Sequence, residues 1–327
     1  MGGRLELLRM LADGSLRSGE DLAAALAVSR AAVWKRLQQL EEWGIACEAL
    51  PGRGYRLESP IDLLDVAAIR AALPAEAAGR LRNLEVHESL ESTSDRLLAV
   101  DDLPPGRFDA CLAEFQSAGR GRRGRRWIAP FASGLCLSLN WNYRDAPATL
   151  GALSLAAGVA ALRALLRLGV QGLALKWPND IVRDDRKLGG ILIDLRSEAA
   201  GPAYVVVGIG VNVRLPASTR DRLAAEGVDA LDLAALGTLP SRNALAAALI
   251  AELSAALDEF GARGMSAFSA EWRASDALAG RAVAVLHGGQ TLAGRACGVD
   301  DDGALLLEID GVLRRIVSGE VSVRPVQ

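Results

Sequence analysis

The chain has 327 residues, half of them hydrophobic, which is enough for two or three domains with sizeable cores. A net charge of −3 excludes a protein that binds polyanions over its whole surface, so any nucleic-acid contact must come from a local patch. The four cysteines lack metal-like spacing and imply a reducing cytoplasm without a disulfide framework, and the two histidines have no neighbours that make a triad or a zinc site.

Residues 1–60 read as one unit. The opening Met1-Gly-Gly-Arg-Leu-Glu lacks the apolar core of a signal peptide. Leu5, Leu8 and Leu11 recur at helical spacing. Ser18 caps a short helix over Leu22–Leu26, Ala27-Val28 makes a turn, and Ser29 caps a longer helix with Val33, Leu37 and Leu40 inward, ended by Gly44. Two short extended pieces, 45–49 and 54–57, follow around Pro51-Gly-Arg-Gly54. The pattern is a winged helix-turn-helix. Its DNA-reading candidates are Ser29, Arg30, Lys35 and Arg36 at the start of the second helix, with Arg53 and Arg56 in the wing on the phosphate backbone. A helical module for protein contacts is the alternative. Residues 28–56 carry five basic against three acidic residues, which favours DNA, although the unit as a whole is neutral.

Pro60 marks a linker to a central domain over 63–272. Strands are predicted at 84–88, 109–115, 134–142, 173–177, 189–195 and 203–213, and helices at 62–72, 92–99, 148–168 and 242–260. Several strands follow one another without a helix, which argues for an α/β fold with a mixed sheet. The apolar runs 149–170 and 244–258 are interrupted by charges and read as buried or amphipathic helices, so no membrane partner is expected. His87 lies in an alternating strand and is read as structural.

Four segments carry chemistry. Glu91-Ser-Thr-Ser-Asp95 opens a helix whose free N–H groups suit an anion. Gln116-Ser-Ala-Gly-Arg-Gly-Arg-Arg-Gly-Arg-Arg126, then Trp127, follows an apolar strand. Its glycines let the backbone approach a ligand and its arginines match carboxylate and phosphate. It is not a Walker loop, because Arg125-Arg126 stands where Lys-Ser/Thr is required. Lys176-Trp-Pro-Asn-Asp180 breaks a strand at Pro178 and leads through Arg186-Lys187-Leu-Gly-Gly190 into another strand. Tyr204–Val213 is a buried strand whose glycines allow close approach. From about Leu278 the periodicity changes to five short strands with a tight turn at Asp310-Gly311, which predicts an SH3-like barrel over 276–327.

In this order the four segments resemble the biotin protein ligases, over essentially the whole chain. The shared motifs are the Gly-Arg-Gly-Arg-Arg-Gly-Arg loop, Lys-Trp-Pro-Asn-Asp, the Lys-Leu-Gly-Gly-Ile-Leu strand and Gly-Ile-Gly-Val-Asn, and residues 1–60 resemble the subgroup that also represses the biotin operon. The resemblance implies a central domain related to class II aminoacyl-tRNA synthetases. It implies synthesis of biotinyl-5′-AMP from biotin, ATP and Mg2+, transfer to a lysine of the biotin carboxyl carrier protein, and ligand-dependent homodimerisation on operator DNA. On biotin it implies Ser92, Thr93, Ser94, Gln116, Arg120, Gly121, Arg122 and Lys176, with Gly208 and Gly210 leaving room for the bicyclic ring. Arg120, Arg122 and Lys176 would be catalytic. Arg125, Trp127, Asn179, Lys187 and Asn212 would bind nucleotide, with Asp180 supporting phosphates and magnesium, and no metal site built by the protein alone is expected. Two positions depart from the pattern. Ser94 replaces a frequent asparagine, and Val228, in the segment Val213–Leu231 read as a loop, stands where some bifunctional members have a tryptophan against adenine. A ligand-sensing repressor with a dead ligase domain and a lipoate ligase are the alternatives.

Overall fold

The computed structural model describes residues 2–41, 43–145, 147, 149–197 and 202–323. The N-terminal unit contains α1 (Gly2–Leu11), α2 (Gly19–Ala25), α3 (Arg30–Glu41) and a hairpin of β1 (Cys47–Leu50) with β2 (Gly54–Leu57). Ser18 Oγ accepts from Asp21 N at 3.0 Å and Ser29 Oγ from Ala32 N at 3.2 Å, so both caps satisfy donors that a helix start leaves open. Leu7, Leu8, Leu11, Leu22, Val33, Leu37 and Leu40 form its core. That core also takes in Phe131 of the central unit, on which Trp43 stacks at 4.2 Å with the rings 2° from parallel. Periodicity within residues 1–60 cannot announce a partner so far along the chain.

The central unit contains α4 (Val66–Ala72), α5 (Ala75–Arg80), β3 (Leu81–His87), α6 (Thr93–Leu98), β4 (Phe108–Ala113), β5 (Gly134–Tyr143), α7 (Leu153–Arg167), β6 (Ala174–Lys176), β7 (Asp180–Arg183), β8 (Arg186–Ser197), β9 (Ala203–Asn212), α8 (Ala217–Ala225), α9 (Arg242–Arg263) and α10 (Ser269–Ala274). Its strands lie in the order β3-β4-β5-β9-β8-β7-β6, a mixed sheet in which β3 and β4 pair parallel across α6 and the other pairs are antiparallel. Strands β4, β5 and β9 are almost wholly buried, because α7 and α9 pack on one face and α6 on the other, and their sequences are near-continuous apolar runs for that reason. The window Leu150–Arg167 is long and apolar enough to cross a membrane by composition alone. In the fold its helix, α7, buries ten residues against the sheet and α9, as a core helix does.

The short elements α5, β7, α8 and α10 are additions to the sequence reading. Residues 213–231 are not simply a loop: Pro216 starts α8, a helix with a weak apolar stripe. A buried ion pair also escaped notice. Glu114 and Arg242 meet at 2.7 Å, both side chains at most 3% exposed. Arg242 also donates to the carbonyls of Gly134 and Asp62, each at 2.7 Å, and Glu114 accepts from Leu64 N at 2.6 Å. Linker, sheet and α9 are joined there through fully bonded charges.

The last unit is β10 (Ala282–His287), β11 (Gln290–Val299), β12 (Leu305–Ile309), β13 (Val312–Ile316) and β14 (Glu320–Val323), in the order β13-β12-β11-β10-β14. Asp310 and Gly311, at φ 53° and 76°, make the tight turn read from the sequence. The five expected strands form one antiparallel sheet, and among the described residues no pairing joins β13 to β14 to close it. Arg281 forks onto Asp185 at 2.7 Å through both terminal nitrogens, and Trp177 Nε1 donates to Gly303 O at 2.9 Å, fixing this sheet against the central unit.

Candidate functional site

A cavity of about 1510 Å³ lies at the ends of β6, β8 and β9, between α6, the 120–126 loop, α8 and the C-terminal sheet. Its floor is a set of hydroxyls. Ser92 caps α6 by accepting from Asp95 N at 3.3 Å. Thr93 donates to Gln116 Oε1 through its N at 2.8 Å and its Oγ1 at 3.1 Å. Ser138 Oγ on β5 lies 2.8 Å from Thr93 Oγ1 and 3.0 Å from Ser94 Oγ. Thr93 is buried beneath the floor, whereas Ser92, Ser94 and Gln116 line the cavity, so Thr93 holds Gln116 and Ser138 in place. Ser138 was missed. Its signal was a lone hydroxyl in the apolar run Leu135–Leu139, where a buried polar atom needs partners.

Gly208 and Gly210 stand opposite Ser138 and Cys136 in the β5–β9 ladder. A Cβ at Gly208 would lie 2.8 Å from Ser94 Oγ, and one at Gly210 would lie 2.3–2.7 Å from the Trp127 indole. Gly210 lines the cavity, and its missing side chain admits the Trp127 ring. The indole Nε1 is itself buried beside the Cys136 thiol and has no oxygen partner, so the ring lines the cavity while its N–H faces the interior. Lys187 Nζ sits 6.0 Å from the ring centroid, so Trp127 joins floor to cationic rim.

The arginine loop folds back on itself. Gly121 N donates to Arg125 O at 2.7 Å and Trp127 N to Gly119 O at 2.9 Å. A Cβ at Gly119 would fall 2.6 Å from Trp127 O, and Gly124 takes φ 74° next to Arg123 at φ 56°, so the tip is a left-handed turn. Arg120, Gly121, Arg122 and Arg125 line the cavity. Arg120 is held by two carboxylates, Asp95 at 2.7 Å and Asp194 at 2.9 and 3.1 Å.

On the other side Lys176 ends β6, and β7 begins at Asp180, as the Pro178 break predicts. Lys187 Nζ pairs with Asp180 Oδ1 at 2.6 Å. The two asparagines assigned to nucleotide also bond within the chain. Asn179 Nδ2 donates to Ile191 O at 2.6 Å, and Asn212 Nδ2 to Leu231 O at 2.9 Å and Lys187 O at 3.3 Å. Their amide donors fasten β8 to its neighbours, and both residues also line the cavity. Arg281 holds the Asp185 carboxyl below its usual range, leaving a carboxylate in the cavity wall. Val228 also lines the cavity, beside α8.

The N-terminal unit carries a second, exposed face. Ser29, Arg30, Lys35 and Arg53 are on the surface, and Arg30 has only an exposed pairing with Glu20 at 3.2 Å. Arg36 is a correction. It donates to Gly3 O at 3.2 Å and packs on α1, away from the start of α3. Arg56 is paired across the hairpin with Glu48 at 2.7 Å. Trp34, 56% exposed on α3 beside Lys35, is the residue sequence reasoning passed over on this face.

Residues 87–212 match the biotin/lipoate A/B protein ligase family, residues 4–56 a helix-turn-helix domain, and residues 279–324 the biotin protein ligase C-terminal domain. The bifunctional ligase/repressor BirA of Salmonella typhimurium and that of Escherichia coli K12 are each 39% identical to this chain, over 98% of it and 97% of their own length. Among solved structures, the biotin protein ligase from Aquifex aeolicus in complex with biotin and ATP superposes with a TM-score of 0.61 at 26% identity, covering 76% of this chain and 99% of that one.

Proposed function

The chain belongs to the biotin protein ligases that carry a helix-turn-helix unit, and on that premise we propose how its residues share the work of an ATP-dependent ligase and repressor. It joins biotin to ATP and passes the biotinyl group to a lysine of the biotin carboxyl carrier protein of acetyl-CoA carboxylase. One observation carries the residue assignment: a single cavity of about 1510 Å³ has a hydroxyl floor and a cationic rim, and it exceeds the ~300–1,000 Å³ of ordinary ligand pockets. Two ligands fit where one would rattle.

A biotin carboxylate oxygen attacks the α-phosphorus, an oxygen–phosphorus bond forms, and pyrophosphate leaves. Two anions meet in that step, so fixed positive charge at the meeting point lowers the barrier, and no acid or base is required. Arg120, Arg122 and Lys176 supply the charge. Ser92, Ser94 and Gln116 bond the polar atoms of biotin, and Lys187, Arg125 and the Trp127 ring face the nucleotide. Mg2+ would arrive with ATP. A hard cation takes one or two carboxylates and keeps water, and Asp180 and Asp185 line the cavity to supply them. It would screen phosphate charge. In the second step the acceptor amine attacks the acyl carbon and AMP leaves.

The exposed face of α3 and the β1–β2 wing reads operator DNA. One near-neutral copy binds weakly, so control requires a homodimer that doubles the phosphate contacts. The adenylate would favour it by ordering residues 120–126 and 213–231 at the dimer interface. Four free cysteines suit the ATP-rich, reducing cytoplasm.

Incubation with ATP, Mg2+, biotin and an acceptor domain, read by acceptor mass, tests the ligase. A gain of one biotinyl group is expected, and transfer of lipoate but not biotin would overturn it. An operator gel shift with and without biotin plus ATP tests the repressor; equal affinity in both would leave an unregulated DNA-binding appendage.

A further inference from the structure

The face of the sheet that carries the hydroxyl floor continues, at its far edge, into a second set of reactive side chains. Glu85 stands in register with Cys111, Cys111 with Ser138 and Ser138 with Gly208, one row across β3, β4, β5 and β9. His87 lies two residues beyond Glu85 on the same face. Ligand atoms of Glu85, His87 and Cys111 all lie within 4.8 Å of one another, and His87 Nε2 is 2.8 Å from Glu85 Oε2. The spacing hides the cluster in the sequence, because Cys111 comes from the neighbouring strand.

A cysteine, a histidine and a glutamate could also form a nucleophilic triad. Burial argues against it: Cys111 is 0% exposed, and its thiol is pushed up to about 12, first by burial and then by the Glu85 charge. A soft divalent cation removes that obstacle, because it supplies the missing positive charge and deprotonates the thiol on binding. We propose that Glu85, His87 and Cys111 form a regulatory site for a thiophilic divalent cation of the Zn2+ class. One thiolate, one carboxylate and a neutral imidazole cancel the charge of the ion, one thiol proton goes to solvent, and a water completes a tetrahedral set. Bond lengths for such an ion put ligand atoms about 3.3–3.6 Å apart, so binding opens the 2.8 Å contact of His87 with Glu85 and draws in Cys111, whose sulfur lies within 4.8 Å of both.

Arg96 is the competitor. It forks onto Glu85 at 2.7 and 2.9 Å, and its side chain is 43% exposed. An exposed ion pair is weak beside a thiolate–metal bond, so the cation displaces it. Arg96 belongs to α6, whose first turn holds the hydroxyl floor through Thr93 and Ser94 on Ser138. Cation binding therefore loosens the end of the cavity that holds biotin. This consequence rests on the ligase reading, whereas the site itself does not.

Chelator-stripped full-length protein titrated with Co2+ should gain one thiolate-to-cobalt charge-transfer band per chain. The band should vanish in Cys111→Ser and survive in Cys297→Ser, whose thiol is exposed. Should Cys111→Ser fold poorly, His87→Ala tests the same site at a partly exposed position and should weaken Co2+ roughly a hundredfold. Arg96→Met should tighten it. A band that persists in Cys111→Ser, or none in the wild type, overturns the site. Zn2+ should weaken biotin binding at least tenfold in the wild type but not in His87→Ala. Unchanged biotin affinity with the band present overturns the coupling alone.

Discussion

The floor and the rim of the central cavity are built from different materials. The floor rests on the interior: Ser138 is 0% and Thr93 3% exposed, and the hydroxyls of these two have two partners each. The rim is surface: Arg120 is 37% exposed and is held by carboxylates that are themselves partly solvated. A buried hydrogen-bonded network has one low-energy arrangement, because any displaced polar group would be left unsatisfied. Exposed ion pairs exchange cheaply. The floor therefore selects the ligand by shape and bonding, and the rim closes on it and supplies charge.

That contrast can be broken first at its support. Arg242→Ala leaves Glu114 buried without its partner under β4 and β5, and should cost about 3–5 kcal/mol of stability. Thermal unfolding with and without ligand measures it. A loss under 1 kcal/mol would mean that the floor does not rest on this pair. Next comes Lys176→Ala. Removing one fixed charge between two anions should slow adenylate synthesis by about 10²–10³. Transfer from pre-made biotinyl-adenylate should suffer less, so an equal loss in both half-reactions would contradict its role. Gly210→Ala drives a methyl into Trp127 and should weaken ATP by about 1–3 kcal/mol, with biotin less affected. If biotin binding falls equally, Trp127 serves both ligands. Arg122→Ala should leave unfolding unchanged and release the adenylate about tenfold faster, which bystander-amine labelling would detect.

The floor and the rim were not equally legible in the sequence. The arginine loop stood out, with five arginines and three glycines in eleven residues, but alone it also fits a solvated basic surface loop and gained its meaning beside Lys176-Trp-Pro-Asn-Asp180. Ser92 and Ser29 were legible as caps, and the buried strands as apolar runs. The floor's second half was hidden because Ser138 lies in an apolar run and gains meaning only when β5 brings it beneath α6. Asn179 and Asn212 read from the sequence as ligand donors alone, because the strand-to-strand bonds of their amides appear only once β8 is in place. Arg36 looked like a DNA contact from its place on α3, yet helical phase turns it towards α1. Glu114–Arg242 and Trp43–Phe131 join segments far apart in the chain, and periodicity is silent on such pairs. The missed elements α5, β7, α8 and α10 are short, where local pattern is weakest.

The finest test concerns how the rim is held open. Arg120 meets Asp95 at 2.7 Å, and Asp95 is 52% exposed, so the pair is worth no more than about 1 kcal/mol. Asp95 sits on the first turn of α6, next to Ser94 and the cavity, where its charge also repels an incoming carboxylate or phosphate. Both effects oppose the ligand. Asp95→Asn removes them while Asp194 still holds Arg120 at 2.9 Å, so the loop is not cut loose. The adenylate should then bind about two- to fivefold tighter, and the gain should shrink in high salt as the lost repulsion is screened. Stopped-flow release of a fluorescent adenylate analogue at two ionic strengths would measure it. Faster release from Asp95→Asn would reverse the assignment: Asp95 would then be a bracket that aims Arg120 at the ligand, and the rim would be preorganised like the floor.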